Sequence, residues 1–296
     1  MRTVAWGAAL TALLLALTGC DKDGSQSGKT REDARPPQAA PKTGPMPGGN
    51  LERIQASKRL RIGVKADSPP FGYLDKDGNP QGFDVDLGFR IARALGVQPH
   101  YVTVTSADRI EKLKSGEIDC IIATFTATRR RAKEVDFSLP YFQDQQQLLV
   151  KAASPIQSYR DLSGKKIGVA EGSTSIQNLK IVAPDGEAVG FKSVTAAFQA
   201  LADGKVDAVT GDGMALLALK MGAPDAGAYR IAGEGFSVEA YVIGLPRNDS
   251  DLRARMDEIL TELWNSGVWT RLFHKWLGAQ SPYNLQAQFQ MQVLPP

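Results

Sequence analysis

The chain has 296 residues, of which 43% are hydrophobic and 23% are charged, and its formal net charge is +3. The first 50 residues hold six of the 35 basic and four of the 32 acidic residues, so the remainder is nearly neutral and lacks the basic surplus of a nucleic-acid-binding protein. That remainder is long enough for one large hydrophobic core or two smaller ones.

The N-terminal segment has the layout of a secretory signal. Arg2 precedes an apolar run over residues 6–17, which is too short for an ordinary membrane-spanning helix. The run ends in LTGC at residues 17–20, which resembles the lipoprotein box of bacteria. This resemblance implies that processing over residues 1–20 leaves Cys20 as a lipidated N-terminus. A plain secretory signal with a chance cysteine is the alternative.

Residues 21–50 are predicted to be a flexible tether. They are mostly small, charged or proline residues with almost no large apolar side chain, so they cannot bury enough surface to fold. Asp21 resembles the residue that retains lipoproteins on the inner membrane of bacteria with two membranes. We therefore expect the folded part outside the cytoplasm, anchored at the outer face of the inner (plasma) membrane.

Two similar strand-and-loop units follow. Residues 60–64 (LRIGV) predict a strand that leads into the proline-stiffened loop 65–73, and residues 166–170 (KIGVA) predict a strand that leads into the polar loop 171–175. A helix is predicted from Ser175 to Val182, with a Ser or Thr cap and free N–H groups at its start.

Residues 75–80 (DKDGNP) form a turn cluster between two extended segments. The cluster superficially matches the start of a calcium loop. That loop needs glycine where Pro80 stands and glutamate where Asp86 stands, so we interpret the segment as a turn and predict neither a metal nor a cofactor.

Three amphipathic helices are predicted from apolar residues at helical spacing. The first covers residues 82–95, where Asp84 and Asp86 place negative charge at the start of the helix. The others cover residues 251–264 and 268–277. No structure is assigned to the Gln- and Pro-rich tail, residues 279–296.

One twelve-residue pattern occurs twice, at residues 113–124 (LKSGEIDCIIAT) and 201–212 (LADGKVDAVTGD). Both copies predict a helix end, a glycine turn and a short apolar strand, so the repeat predicts two similar α/β lobes. Ligands bind outside the carboxyl ends of parallel strands, where the first copy leads to Arg131 and the second ends in Asp212. Cys120 is interpreted as a buried thiol without a disulfide partner, since Cys20 is committed to lipid.

Three segments together resemble the amino-acid-binding, periplasmic-type (family 3) solute-binding proteins of ABC transporters. They are residues 82–87 (GFDVDL) with the apolar residues that follow, residues 123–131 (ATFTATRRR) and residues 135–142 (VDFSLPYF). The similarity covers about residues 51–278.

This resemblance implies a two-lobed, periplasmic-binding-protein-like fold of type II, with two α/β domains joined by two hinge strands. Lobe 1 would comprise residues 51–143 plus 239–278, and lobe 2 would comprise residues 144–238. The hinges would lie at residues 143–147 and 236–240. The lobes of a monomer would close on one amino acid, and a membrane permease with its ATPase would recognise the closed form.

Ligand-binding roles also follow from the resemblance. Arg131 would grip the α-carboxylate, and Asp212 would accept from the α-ammonium group. Polar side chains would assist at these two groups: Thr124, Thr126, Ser173 and Thr174.

Lys65 and Arg109 resemble the positions that bind the distal carboxylate in glutamate and aspartate binders. Two cations in one cleft favour an acidic ligand, although Asp67 could pair with Lys65. Phe71 or Phe125 is expected to supply an apolar wall.

Three alternatives remain open from the sequence. The ligand could be glutamine or another polar amino acid, and the protein could serve a separate receptor as a ligand sensor. A dehydratase-like enzyme is the third alternative, but the chain has only His100 and His274 and none of the usual hydrolase or phosphate-loop motifs.

Overall fold

The computed structural model describes residues 49–287 and 289–292. The predicted signal, Cys20 and nearly all of the predicted tether lie outside the described residues. The last two tether residues, Gly49 and Asn50, instead begin the first helix.

The elements of the fold alternate between strands and helices. The helices are α1 Gly49–Ser57, α2 Phe83–Ala94, α3 Arg109–Lys114, α4 Ser175–Val182, α5 Val194–Ala202, α6 Gly213–Gly222, α7 Ser250–Asn265 and α8 Val268–Trp276. The strands are β1 Arg59–Lys65, β2 Asp67–Ser68, β3 Gly72–Leu74, β4 Pro80–Gln81, β5 Gln98–Val104, β6 Cys120–Ile121, β7 Asp136–Asp144, β8 Gln146–Lys151, β9 Lys166–Ala170, β10 Glu187–Phe191, β11 Ala208–Asp212, β12 Tyr229–Ala232 and β13 Glu239–Leu245.

Two five-stranded sheets organise these elements. The first has the order β5-β1-β6-β13-β7 and the second β10-β9-β11-β8-β12. In each sheet three strands pair in parallel, and two further strands are added through antiparallel pairings, so that one strand, β13 or β8, runs opposite to the other four. The chain passes from the first sheet to the second between Asp144 and Gln146, and it returns between Ala232 and Glu239. A small antiparallel sheet, β2-β3-β4, follows β1.

The repeated sequence pattern occupies equivalent places in the two sheets. Its glycines, Gly116 and Gly204, both have φ 74°, a conformation that glycine adopts without steric cost. The aspartates of the two copies also have the same structural role. Asp119 accepts from the backbone N–H of Arg61 in β1 at 2.7 Å, and Asp207 accepts from that of Lys166 in β9 at 2.8 Å. The aspartate of each copy therefore helps to fix the strand that follows it beside an earlier parallel strand, β6 beside β1 in the first sheet and β11 beside β9 in the second.

Apolar side chains cover both faces of each sheet. Two buried clusters lie in the first sheet, one around Ile62 and Ile122 and the other around Ile121 and Phe125. Two more lie in the second sheet, around Ile167 and around Val209. Strands that are buried on both faces are expected to be continuously apolar. This pattern holds for β6 and for β9 after Lys166, whereas β11 is apolar at Ala208 and Val209 and ends in the polar residue Asp212.

The C-terminal tail packs against the first core. Tyr283, Leu285 and Phe289 contact this core, and Met291 is 6% exposed within it. The ring of Phe289 lies 6.4 Å from that of Phe142 in β7. These contacts give the tail a position that the sequence pattern left unassigned.

The turn cluster at residues 75–80 is stabilised by its own aspartate. The Asp75 carboxylate accepts from the backbone N–H groups of Asp77 at 2.9 Å and Asn79 at 2.8 Å. These bonds form a side-chain-capped turn. Cys120 is buried as predicted, and burial raises the pKa of its thiol well above the ordinary value.

Candidate functional site

A cavity of about 40 Å³ lies between residues that follow strands of both sheets. Lys65 ends β1, Ala170 ends β9 and Asp212 ends β11, so the cavity is at the carboxyl ends of the parallel strands. It is lined by Lys65, Ser68, Ser106, Arg109, Thr124, Thr126, Ala170, Ser173, Thr174, Ser175, Val194, Thr210, Gly211, Asp212 and Ala215.

Seven of the ten predicted ligand-binding residues line this cavity. They are Lys65, Arg109, Thr124, Thr126, Ser173, Thr174 and Asp212. The other three, Phe71, Phe125 and Arg131, lie outside the lining.

Arg131 lies next to the cavity and joins segments that follow the two sheets. Its guanidinium donates to the carbonyl of Thr126 at 2.7 Å and to that of Gly172 at 3.2 Å. Arg131 is buried, and both this burial and the nearby charge of Arg109 lower its pKa. Two of its five donors are used in these bonds, so it retains capacity for an anion.

Arg109 is a buried cation in the cavity wall. Its Nη1 donates to the carbonyl of Ala123 at 2.6 Å, whereas its Nε is buried without a hydrogen-bond partner. Burial lowers its pKa to about 10, which leaves it charged at neutral pH. A buried donor without a partner is costly, so an incoming acceptor would be favoured here.

The two predicted apolar-wall residues have other roles. Phe125 is fully buried, and its ring centre lies 4.7 Å from the guanidinium carbon of Arg109 and 4.6 Å from that of Arg131. These distances are typical of cation–π contacts, so Phe125 holds the two cations. Phe71 is fully buried in the first core, edge-on to Phe142 and Tyr241.

Lys65 is not a free cation. Its Nζ lies 2.9 Å from Oδ1 of Asp67 and donates to the hydroxyl of Ser106 at 3.2 Å. Burial lowers the pKa of Lys65, while Asp67 opposes this effect. The pairing removes much of the argument for an acidic ligand, because one of the two cations is already neutralised within the site.

Asp212 presents a carboxylate without a cationic partner. Its Oδ2 accepts from the hydroxyl of Tyr241 at 2.8 Å, and no lysine or arginine in the described part of the chain forms an ion pair with it. Burial and the neighbouring Asp144 raise the pKa of Asp212 to about 7. The pKa of Asp144 is itself raised to about 6, mainly by burial. A ligand ammonium group would favour the ionised form of Asp212.

Thr124 turns into the cavity through an uncommon backbone conformation. Its φ is 44°, which is costly for a β-branched residue. The backbone N–H of Thr124 donates to Oδ2 of the buried Asp84 at 2.8 Å, and the hydroxyl of Tyr141 donates to Oδ1 at the same distance. Asp84, in the first turn of α2, therefore stabilises the turn that follows β6.

Glu239 is a charged residue of this region that the sequence analysis did not predict as part of the site. It is 1% exposed at the start of β13, and Thr126 and Thr174 donate their hydroxyls to its Oε2 at 2.7 and 2.9 Å. A signal was present, since Glu239 is the one charged residue in the otherwise apolar strand EAYVIGL.

These bonds change the expected roles of three hydroxyl groups. Thr126 and Thr174 donate to Glu239, and Ser173 donates to the carbonyl of Ala170 at 2.6 Å. None of these hydroxyls therefore has its proton available for a ligand carboxylate. Thr174 also precedes α4 without a side-chain capping bond, because its oxygen is used elsewhere.

Comparison with known proteins identifies a family and several relatives. The family model of bacterial extracellular solute-binding proteins, family 3, matches residues 60–279. The ABC transporter glutamine-binding protein GlnH of Bacillus subtilis (strain 168) is 34% identical over 89% of this chain and 93% of the relative. The glutamine-binding protein of Geobacillus stearothermophilus is 41% identical over 80% and 89%, respectively. An L-glutamate/L-aspartate-binding protein of Pseudomonas aeruginosa is 27% identical over 79% and 82%.

Solved structures show the same fold. An ancestral arginine-binding protein bound to glutamine has a TM-score of 0.72 and 40% identity, covering 75% of this chain and 99% of its own. An ancestral amino-acid-binding protein described as a precursor of cyclohexadienyl dehydratase has a TM-score of 0.72 and 31% identity, covering 78% and 100%. Within the described residues, no helix combines the length and apolar character needed to cross a membrane.

Proposed function

The chain belongs to the bacterial extracellular solute-binding proteins of family 3, and we propose that it captures glutamine for an ABC importer. The ion pair between the buried Lys65 and the partly exposed Asp67, at 2.9 Å, carries the choice of a neutral ligand. It leaves Arg109 as the cation of the cavity wall that has an unpartnered donor. The glutamine-binding relatives from two organisms support the same choice.

We further propose how the α-amino acid group is held. Asp212 accepts from the ammonium group, because its carboxylate lines the cavity and forms no ion pair with a lysine or arginine of the described residues. Arg131 binds the α-carboxylate with the donors that Thr126 and Gly172 leave free. Arg131 does not line the cavity, so its contact with an amino acid requires that the walls beside Thr126 and Gly172 move when the ligand binds.

Closure of two lobes is part of this proposal. Lobe 1 is residues 51–143 plus 239–278, and lobe 2 is residues 144–238. The sheet crossings near Asp144 and Glu239 support these boundaries. A ligand that contacts Arg131 and Asp212 together favours the closed arrangement by its difference in affinity for the two forms.

An acidic amino acid is the second candidate. The unpartnered Nε of Arg109 favours it, since this donor could bind a distal carboxylate. The glutamate/aspartate-binding relative supports it more weakly, at 27% identity. A dehydratase activity has less support, because the Asp212 carboxylate in the cavity suits an ammonium group of an amino acid.

The membrane attachment and partners are also proposed. Cys20 carries a lipid that holds the monomer at the outer face of the plasma membrane, and residues 21–48 tether it there. The partner is a permease with its ATPase. The family description and the glutamine transporter relative support an extracytoplasmic importer component.

The choice between glutamine and glutamate is tested by Asp67→Asn. This change leaves Lys65 without its carboxylate, so the affinity for glutamate relative to glutamine should rise about tenfold, which corresponds to about 1.4 kcal/mol. Asp77→Asn, at an exposed position of the neighbouring turn, is the matched control. Calorimetric titration of both ligands gives the ratio. An unchanged ratio in Asp67→Asn would remove the electrostatic basis for a neutral ligand.

A further inference from the structure

Two carboxylates share one phenol hydroxyl beside the cavity. The hydroxyl oxygen of Tyr241 lies 2.8 Å from Oδ2 of Asp212 and 3.2 Å from Oδ2 of Asp144. Asp212 lines the cavity, whereas Asp144 and Tyr241 do not. Within the described residues, no lysine or arginine forms an ion pair with either carboxylate. Asp144 can therefore act on a ligand in the cavity through Asp212 and the hydroxyl between them.

The three residues come from segments that meet where the chain crosses between the sheets. Asp144 ends β7 before the first crossing, Tyr241 lies in β13 after the second, and Asp212 ends β11 of the second sheet. The backbone N–H of Gln145 donates to Oδ1 of Asp144 at 2.8 Å, and that of Met214 donates to Oδ2 at 3.2 Å. The bond from Met214 holds Asp144 beside α6, the helix that begins directly after Asp212.

One hydroxyl cannot donate to both carboxylates. A tyrosine hydroxyl has a single proton, although its oxygen can also accept. When Asp144 and Asp212 are both ionised, one of the two contacts with Tyr241 has no hydrogen in it, and two negative charges lie close together. A proton on either carboxyl group supplies the missing hydrogen and removes the repulsion. The geometry thus favours one proton bound by the pair, as is general for carboxylates that share a site.

The hydrogen bonds favour Asp212 as the group that takes this proton. Two backbone N–H groups donate to Asp144 and stabilise its ionised form. Among the described residues, Asp212 accepts from the Tyr241 hydroxyl alone. Burial and, next in size, the charge of Asp144 raise the pKa of Asp212, in agreement with this order.

The other charged groups near Asp212 have smaller effects on it. Glu239 raises the pKa of Asp212 and Arg109 lowers it, and both effects are smaller than that of Asp144. Glu239 is held by four hydrogen bonds from neutral side chains, and Lys65 is neutralised by its own ion pair. Asp144 is therefore the charged neighbour that most strongly favours the protonated form of Asp212.

We propose that Asp144 is a positioning residue that makes Asp212 hold a proton until a ligand ammonium group replaces it. When an amino acid binds, its ammonium group keeps its three hydrogens, and the proton of Asp212 passes to water. Asp144 thereby sets the pH below which binding weakens, without contacting the ligand. This inference rests on the proposed amino-acid-binding function and adds to it a residue outside the cavity.

The first test is Asp144→Asn, followed by calorimetric titration with glutamine between about pH 5.5 and 8. Asparagine can still accept from a backbone N–H and can donate its NH₂ to the Tyr241 oxygen, so the fold should be kept. Without the charge of Asp144, the midpoint of the fall in affinity should move down by about one pH unit. At about pH 6 the variant should keep about half of its affinity at pH 8, and the original protein about a tenth. An unchanged midpoint would overturn the inference.

Two further variants separate this effect from a general change of charge or packing. Asp136→Asn alters the other end of β7, where the carboxylate accepts from the backbone N–H of Asn248 at 2.9 Å, and should leave the midpoint unchanged. Tyr241→Phe removes the donor that favours ionised Asp212, so the midpoint should move up. Equal shifts in Asp144→Asn and Asp136→Asn, or a downward shift in Tyr241→Phe, would overturn the inference.

A readout without ligand keeps this test independent of the proposed function. NMR of the protein with ¹³C-labelled aspartate carboxyl groups, titrated without any amino acid ligand, should give Asp212 a pKa of about 7. The pKa should be about one unit lower in Asp144→Asn. An ordinary pKa for Asp212 in the original protein would overturn the inference. A protein that shows both titrations as expected but binds no amino acid would instead overturn the proposed function.

Discussion

Replacing Gly172 by alanine is expected to weaken ligand binding by preventing the approach of two loops. Gly172 follows β9 of the second sheet, and Ser106 and Ala107 follow β5 of the first. A Cβ atom at position 172 would lie 2.6 Å from the backbone oxygen of Ser106 and 2.6 Å from the Cα atom of Ala107. These distances are shorter than any normal contact, and both neighbours are backbone, so the loops must separate.

The size of the effect follows from this contact. Overpacking of a close-fitting contact costs about 1–3 kcal/mol. If the cost applies only to the closed arrangement, the affinity for glutamine should fall by roughly 5- to 150-fold. Separation of the loops would also lengthen the 3.2 Å bond between Arg131 and the carbonyl of Gly172.

A matched control removes the contribution of backbone strain. Gly172 has φ 72°, and Gly164 has φ 66° with no atom within 4 Å of the position that a Cβ would take, so alanine is similarly strained at both positions. Both variants should lose comparable thermal stability, but only Gly172→Ala should lose affinity in calorimetric titration with glutamine. Equal affinities in the two variants would refute the reasoning that these loops meet when the ligand is held.

Three other changes test separate parts of the account. Arg131→Ala should abolish the binding of every amino acid that calorimetry can detect, because the α-carboxylate loses its cation. The control Arg130→Ala, at an exposed neighbouring position, should still bind. Binding of an amino acid by Arg131→Ala would exclude Arg131 as the carboxylate-binding residue. The affinity for glutamine should fall as the pH drops below about 7, by up to about tenfold per pH unit. The pKa of Asp212 is raised, so below that pH the ligand-free site takes up a proton that the ligand ammonium group must displace. A constant affinity between about pH 5.5 and 8 would contradict this role of Asp212. Cys20→Ala should move the protein from the membrane fraction to the soluble extracytoplasmic fraction, and retention at the membrane would refute lipid attachment through this residue.

Local sequence signals predicted much of the fold because they depend on near neighbours. The predicted helix over Ser175–Val182 has those bounds in the structure, and the predicted helix over residues 251–264 is observed at Ser250–Asn265. The repeated glycine turns at Gly116 and Gly204 likewise follow from local backbone requirements. Strand β6 is shorter than its apolar sequence suggests, because the backbone turns at Thr124 with a positive φ.

Side-chain pairing was harder to predict because it joins distant segments. The hydrogen bond from Thr126 to Glu239 spans 113 residues, and no local pattern specifies it. Seven of the ten predicted ligand-binding residues line the cavity, and their contacts with a ligand stay a prediction. The role of a predicted residue differs from expectation where a nearby side chain already pairs with its charge or accepts its proton, as Asp67 pairs with Lys65.

The contacts of the aromatic residues near the cavity were also hard to predict from the sequence. Phe71 and Phe125 both follow predicted strands close to the cavity, so either could have formed an apolar wall. The structure instead buries Phe71 among aromatic rings and places Phe125 against Arg109 and Arg131. The C-terminal tail was left unassigned, although Tyr283, Leu285, Phe289 and Met291 stand at alternating positions, the spacing of an extended segment that buries one face.

The assignment of glutamine as the ligand is tested by calorimetric titration of the purified protein with glutamine and, separately, with glutamate. We expect saturable binding of one glutamine per chain, with a higher affinity than for glutamate at pH 7.5 or above, where Asp212 is mostly ionised. Tighter binding of glutamate would contradict the neutral-ligand assignment, and the absence of binding to either would contradict the proposed function.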